Sequence, residues 1–121
     1  MMMGLRTAIY PTPDLAAGKD WYGRVFGVAP YYDEPYYVGF EIGGFELGLI
    51  PDRKPGVDGA EVYWGVDDAD AEYARLLSLG ASDLDPVREV GEGVRVASVL
   101  DPYGNRLSII QNPLFDPKKV A

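Results

Sequence analysis

The sequence predicts an α+β fold made of two tandem βαβββ modules. Three observations carry this expectation. A strand-like segment followed by an aspartate and an amphipathic helix occurs twice. Each helix pattern stops at a glycine, Gly27 and Gly80. Each helix is then followed by three short segments of strand character, the last two joined by turn formers. With Asp14 placed over Asp68, Thr7 falls over Glu61, the same distance upstream in both copies.

Thr7 to Pro11 reads as the first strand. Asp14 follows as a helix N-cap, because its carboxylate can accept orphan backbone N–H groups. Leu15, Trp21, Tyr22, Val25 and Phe26 recur at helical spacing up to Gly27. Strand candidates follow at Tyr31–Asp33, Tyr36–Ile42 and Phe45–Ile50, with Gly43-Gly44 as a tight hairpin between the last two. Pro51 to Gly59 is a polar linker. In the second copy, Glu61–Val66 is a strand and Asp67-Asp68 supplies the cap. Ala69, Tyr73, Leu76 and Leu77 form the helical stripe. Val87–Val90, Val94–Leu100 and Arg106–Gln111 are the remaining strands, the last two joined through Asp101-Pro102-Tyr103-Gly104-Asn105. The boundaries are module one at 5–50, linker at 51–59, module two at 60–113 and an irregular tail at 114–121.

Composition limits the chemistry. Among 121 residues, 47% are hydrophobic, so a packed core is within reach. There is no cysteine, which excludes disulfides, thiolate metal sites and a cysteine nucleophile. There is no histidine, so the commonest transition-metal ligand and the commonest general base are both missing. A Ser-His-Asp triad or Cys-His pair is therefore excluded, and no phosphate-cradling glycine loop ending in Lys-Ser/Thr is present. The net charge of -8 repels phosphate backbones and disfavours nucleic-acid partners, whereas it suits cationic ligands as well as simple solubility. No apolar run reaches the ~20 residues of a membrane span, and Met1 to Arg6 lacks a signal-peptide core, so a cytoplasmic location is the expectation.

The stretch Asp101-Pro102-Tyr103-Gly104-Asn105-Arg106-Leu107 resembles the hairpin that opens the final strand in the glyoxalase/bleomycin-resistance/dioxygenase family, also called the vicinal-oxygen-chelate superfamily. Pro13-Asp14-Leu15, Val66-Asp67-Asp68 and Leu79-Gly80-Ala81 match in the same order, and the resemblance spans roughly residues 5 to 113. It implies curled mixed sheets forming half-barrels with the helices outside, and a homodimer. It also implies where metal-dependent members carry their ligands: Thr7, Glu61 and Ser108, with a further position at Glu46 or Leu47. Neutral hydroxyls are poor donors to a transition metal, so no metal or other cofactor is expected here.

Strand alternation sorts the inward residues. Thr7, Ile9, Glu46, Glu61, Tyr63, Arg106, Ser108 and Ile110 are candidates to line a small-molecule cavity, with Tyr36 from the cluster Tyr31, Tyr32, Tyr36 and Tyr37. Those tyrosines serve either as strand and edge packing or as a stacking surface for a planar or cationic ligand. Trp21 and Trp64 read as core. Glu61 is either a strand-end carboxylate paired with Arg95 or Arg106, or a cavity acid and candidate general base. Two functions follow. One is a metal-free protein that sequesters a small aromatic or cationic compound such as an antibiotic, as the resemblance to bleomycin-resistance proteins implies. The other is an enzyme acting on a small carbonyl or phenolic substrate, with Glu61 as catalytic acid/base beside Tyr63. Metal-dependent glyoxalase, thiol-transferase or dioxygenase chemistry ranks below both. Small curled sheets also leave edges that a second subunit would cover.

Overall fold

The computed structural model describes residues 5–58, 61–116 and 118. The expectations for the first four residues, for Gly59 and Ala60, and for tail positions 117 and 119–121 lie outside the described residues. The chain divides into two compact units, Met1–Gly56 and Val57–Ala121.

The first unit contains β1 (Thr7–Pro11), α1 (Leu15–Phe26), β2 (Tyr32–Glu34), β3 (Tyr37–Ile42) and β4 (Phe45–Ile50). The sheet order is β1-β4-β3-β2, with β1 parallel to β4 and the other pairs antiparallel. Asp14 caps α1 by accepting the Ala17 N–H at 3.1 Å, and Gly27 ends it at φ 69. The helix packs on β3 and β4. One sheet face supplies Ala8, Tyr10, Val38, Phe40, Leu47 and Leu49, and the helix supplies Trp21, Tyr22 and Val25, all buried. The Trp21 and Tyr22 rings meet edge to face at 4.8 Å. Each large apolar side chain buried here contributes about 1.5–3 kcal/mol. Gly43 and Gly44, at φ 58 and 90, form the hairpin expected of them, since both turn positions need the left-handed region.

Two strand starts differ from expectation by one residue: β2 begins at Tyr32 and β3 at Tyr37. Tyr31 still bonds Gly39 O through its N–H at 3.0 Å, whereas Pro35 and Tyr36 form the turn, where proline lacks a ladder donor.

The second unit contains β5 (Tyr63–Gly65), α2 (Ala69–Ser78), β6 (Ser82–Gly91), β7 (Val94–Leu100) and β8 (Arg106–Gln111). Its order, β5-β8-β7-β6, repeats that of the first unit. Asp68 caps α2 through the Ala71 N–H at 3.1 Å, and the Gln111 side chain accepts the Ala69 N–H at 2.8 Å. The helix packs on β6, β7 and β8, and Ala69, Leu76, Ala97, Val99, Leu107 and Ile109 are buried. Trp21 is core as expected, whereas Trp64 is only half-buried.

Two corrections concern this unit. The strand expected over Glu61–Val66 is only Tyr63–Gly65, so Glu61 precedes it. The strand expected over Val87–Val90 runs from Ser82 to Gly91, straight through Pro86. β6 is the outer strand, where a missing N–H is tolerated, and register shifts at Asp83/Asp85, Asp85/Arg88 and Glu89/Gly91 absorb the irregularity. Among the described residues no helix is long and apolar enough to cross a membrane.

Candidate functional site

Each sheet has one face against its own helix. The opposite face carries the polar candidates. In the first unit, parity puts Thr7, Ile9, Tyr37, Gly39, Glu46, Gly48 and Ile50 on the face turned away from α1. The Glu46 or Leu47 ambiguity is thereby resolved: Leu47 is fully buried on the helix side, and Glu46 stands opposite Thr7 on the other side.

Glu46 is a hub. Its Oε2 accepts the Tyr37 hydroxyl at 2.5 Å and the Thr7 hydroxyl at 3.4 Å, and its Oε1 accepts the Tyr31 hydroxyl. Burial alone would raise its pKa, but the bonds from Tyr31, Tyr37 and Thr7 outweigh this and hold it below the usual 4.5. The Tyr37 hydroxyl is pushed up, first by burial and then by its bond to Glu46. The Tyr31 hydroxyl is raised chiefly by its own bond to Glu46. At neutral pH the site is thus a carboxylate held by protonated hydroxyls. Such a group makes a poor base and a good acceptor for a cation or a hydrogen-bond donor.

The tyrosine reaches Glu46 by crossing a row of glycines. The register aligns Tyr32, Gly39, Gly48 and Ile9 across the sheet. A Cβ at Gly48 would overlap the Tyr37 hydroxyl and Cζ, and one at Gly39 would stand 3.3 Å from Tyr37 Cε2 and 3.2 Å from Glu46 Oε1. The ring of Tyr32 meets that of Tyr37 edge-on at 5.8 Å.

In the second unit the face turned away from α2 carries Tyr63, Ser108 and Ser98 in one row, ending at Asp85 on β6. Arg106 Nη1 donates to Asp85 at 2.7 Å, to Ser98 Oγ at 3.1 Å and to Glu61 at 3.3 Å. The bond to Asp85 is the main reason its pKa is raised; desolvation works against it. Tyr63 donates to Glu61 at 3.1 Å, and its pKa is raised, first by burial and then by that bond. Ser98 and Ser108 are buried and bond to each other at 2.7 Å.

The predicted residues thus fall into two groups. Thr7 and Glu46 come together in one unit, with Ile9 exposed beside them; Glu61, Tyr63 and Arg106 come together in the other. Glu61 takes Arg106 rather than Arg95 as its ion-pair partner; Arg95 pairs with Asp70. Its side chain is 43% exposed. The Ser108 hydroxyl is occupied by Ser98, and Ile110 is half-buried. Tyr36 bonds the Tyr32 hydroxyl at 2.5 Å and does not join the Glu46 hub. Ser98 and Asp85 are absent from the predicted site residues, and Tyr31 and Tyr37 are named there only within the tyrosine cluster, as packing or a stacking surface, not as partners of Glu46. For Tyr37 a signal existed, namely its shared parity with Gly39; Asp85 lies on the part of β6 outside the strand expected over Val87–Val90.

The sequence profile of the Glyoxalase/Bleomycin resistance protein/Dioxygenase superfamily matches residues 4–109, and the chain belongs to that superfamily. Its fold is similar to that of a glyoxalase-related enzyme from Fulvimarina pelagi, with TM-score 0.78 and 21% identity over 95% of this chain and 92% of that one. It is also similar to lactoylglutathione lyase from Agrobacterium tumefaciens, with TM-score 0.74 and 18% identity over 95% and 98% of the two chains. A third similar structure is the oxidase ChaP-H2, with TM-score 0.64 and 19% identity over 93% and 96%. No curated protein matches the sequence.

The residues at the family's ligand positions do not fit a transition metal. Thr7 is a hydroxyl already donating to Glu46, and Ser108 is a hydroxyl bonded to Ser98. Glu61 is paired with a guanidinium, whose charge opposes a second cation. Such metals require imidazole, thiolate or several carboxylates. Among the described residues, no three His, Cys, Asp or Glu side chains converge.

Proposed function

We propose that the protein is a metal-free small-molecule-binding member of its superfamily. Its ligand is a small aromatic compound bearing a cationic or hydrogen-bond-donating group. One observation carries this reading: on the sheet face turned away from α1, Glu46 stays ionised, held by neutral hydroxyls from Tyr31, Tyr37 and Thr7, with aromatic rings beside it. A charged acceptor next to tyrosine faces suits an aromatic cation or donor. Ile9 adds exposed apolar surface on the same face. The catalytic alternative at Glu61 is less well supported, because that carboxylate is ion-paired with Arg106 and already accepts from Tyr63.

The reading includes a homodimer, supported by the place of β1 and β5 at sheet edges among the described residues and tested by size-exclusion chromatography with light scattering. Binding is tested by calorimetry with phenyltrimethylammonium and its neutral isostere tert-butylbenzene. The cation should bind the more tightly, and Glu46→Gln should weaken it about tenfold while Glu61→Gln leaves it within about twofold. Equal binding of the two probes, or equal loss in the two variants, would refute the assignment of Glu46.

A further inference from the structure

The glycine row beside Glu46 has the shape of a slot for one planar ring, and the chain fills it with its own Tyr37. Glycine inside a strand weakens the sheet, because it gives up more backbone entropy and packs no side chain. The second unit provides the internal comparison. Its registers place Ser98 and Ser108 in the positions corresponding to Gly39 and Gly48, and those serines sit side by side with their hydroxyls 2.7 Å apart. The strand pairing therefore has no need of glycine there. What needs it is the Tyr37 ring, which a Cβ at Gly48 would overlap.

The slot has defined ends. Tyr32 closes one side with its ring edge-on to Tyr37. Ile9 stands at the other end of the glycine row and is exposed. At the tip, Glu46 receives the phenolic hydroxyl at 2.5 Å, and Tyr31 and Thr7 donate to the same carboxylate. Tyr37 itself is the first residue of β3, next to the Pro35-Tyr36 turn, and is half-buried. A side chain at the mouth of a strand can leave the sheet without breaking a ladder behind it.

We propose that Tyr37 is a built-in occupant of a phenol-binding slot, and that a phenolic ligand binds by displacing it and donating its hydroxyl to Glu46. This deepens the proposed function, rests on the same carboxylate and narrows the ligand class to phenols. Tyr37 then acts as an internal competitor: the ligand meets a competent slot only in the fraction of molecules whose tyrosine has swung out.

The test uses p-cresol, the tyrosine side chain as a free molecule, and toluene, which lacks the hydroxyl. Calorimetry should show Tyr37→Ala binding p-cresol about tenfold more tightly than the wild type does, since the competitor is gone. Tyr37→Ala should bind toluene about tenfold more weakly than p-cresol, and adding Glu46→Gln should erase that difference. Equal p-cresol affinity in wild type and Tyr37→Ala, or equal affinity for the two probes in Tyr37→Ala, would overturn the proposal. The wild type gives a second readout that needs no cavity-forming variant. With tyrosine labelled with carbon-13 at Cζ and the Tyr37 signal assigned through Tyr37→Phe, excess p-cresol should move that signal towards free tyrosine; a Tyr37 signal unmoved under saturation would also overturn it. Should p-cresol fail while phenyltrimethylammonium still binds in a Glu46-dependent way, the slot is wrong and the site stands. Should both fail, both readings fall.

Discussion

Replacing Glu46 by glutamine removes a charge and leaves its shape. The structure sets the size of the effect. Three hydroxyls point at this carboxylate, but the Thr7 bond is long at 3.4 Å and Tyr31 is exposed. The Tyr37 bond is half-buried and 2.5 Å long. A hydrogen bond to a charged group contributes about 1.5–3 kcal/mol, and partial exposure screens it towards the lower value. Glutamine keeps one neutral acceptor, so the expected loss is about 1–2 kcal/mol, or about 4–8 °C in Tm for a chain of this size. The sign with pH follows from the lowered pKa. Unfolded Glu46 takes up its proton near 4.5 and folded Glu46 only below that, so its stabilisation is full above pH 4.5 and is lost as pH falls through the folded value. Thermal denaturation followed by circular dichroism at pH 7 and in acid reads both. The wild type should melt higher at pH 7, and the gap should close in acid. A gap that widens as pH falls, or no gap at pH 7, would refute the hub.

Asp101→Ala should cost about 2–4 kcal/mol, because the buried carboxylate accepts Tyr103 N, Asn105 N and Asn105 Nδ2, all at 2.9 Å, and those donors would lose their acceptor; urea denaturation measures it. Gly18→Ala would ordinarily strengthen a helix, yet here a Cβ would overlap Cγ2 of fully buried Thr12, whose hydroxyl donates to Tyr10 O at 2.9 Å. A loss of about 1–3 kcal/mol is expected, recovered in the Gly18→Ala/Thr12→Ser double variant, where the clashing methyl is gone. Tyr73 is raised from 10.0 to about 12, by burial first and by Asp83 next. The unfolded phenol ionises near pH 10 while the folded one keeps its proton, so stability falls from pH 10 to about 12. Tyr73→Phe should flatten that part of the alkaline melting curve.

Much of the frame was legible because independent local signals agreed. Asp14 and Gly27 bracket α1 as cap and stop, and Phe45–Ile50, Val94–Leu100 and Arg106–Gln111 are strands with the expected bounds. β6 was largely illegible, because Asp83, Asp85 and Pro86 give it the composition of a loop; only its place at the sheet edge lets such a sequence extend. Sequence could place Glu46 on a strand and Glu61 near the start of one, but not weigh them. Their difference lies in what reaches them from elsewhere: Tyr31 and Tyr37 in one case, Arg106 in the other. Nor could alternation decide between Glu46 and Leu47, because a shift of one residue through Gly43-Gly44 reverses every side chain beyond it.

The internal repeat sharpens the choice between the two carboxylates. Thr7 is opposite Glu46 in one unit. In the other, Tyr63 is opposite Ser108, and Glu61, two residues before Tyr63, forms an ion pair at 3.3 Å with Arg106, two residues before Ser108. One frame therefore carries opposite charges at corresponding last-strand positions, Glu46 and Arg106. The guanidinium in the second unit is shared between Glu61 and Asp85, so each of those carboxylates has a cation beside it. The carboxylate in the first unit is held by hydroxyls, which lend it hydrogen bonds and leave its charge uncancelled. An incoming cation or phenol gains most where the acceptor is ionised, already partly desolvated and not neutralised. By that measure the proposed ligand site is centred on Glu46 rather than on Glu61, which shares Arg106 with Asp85.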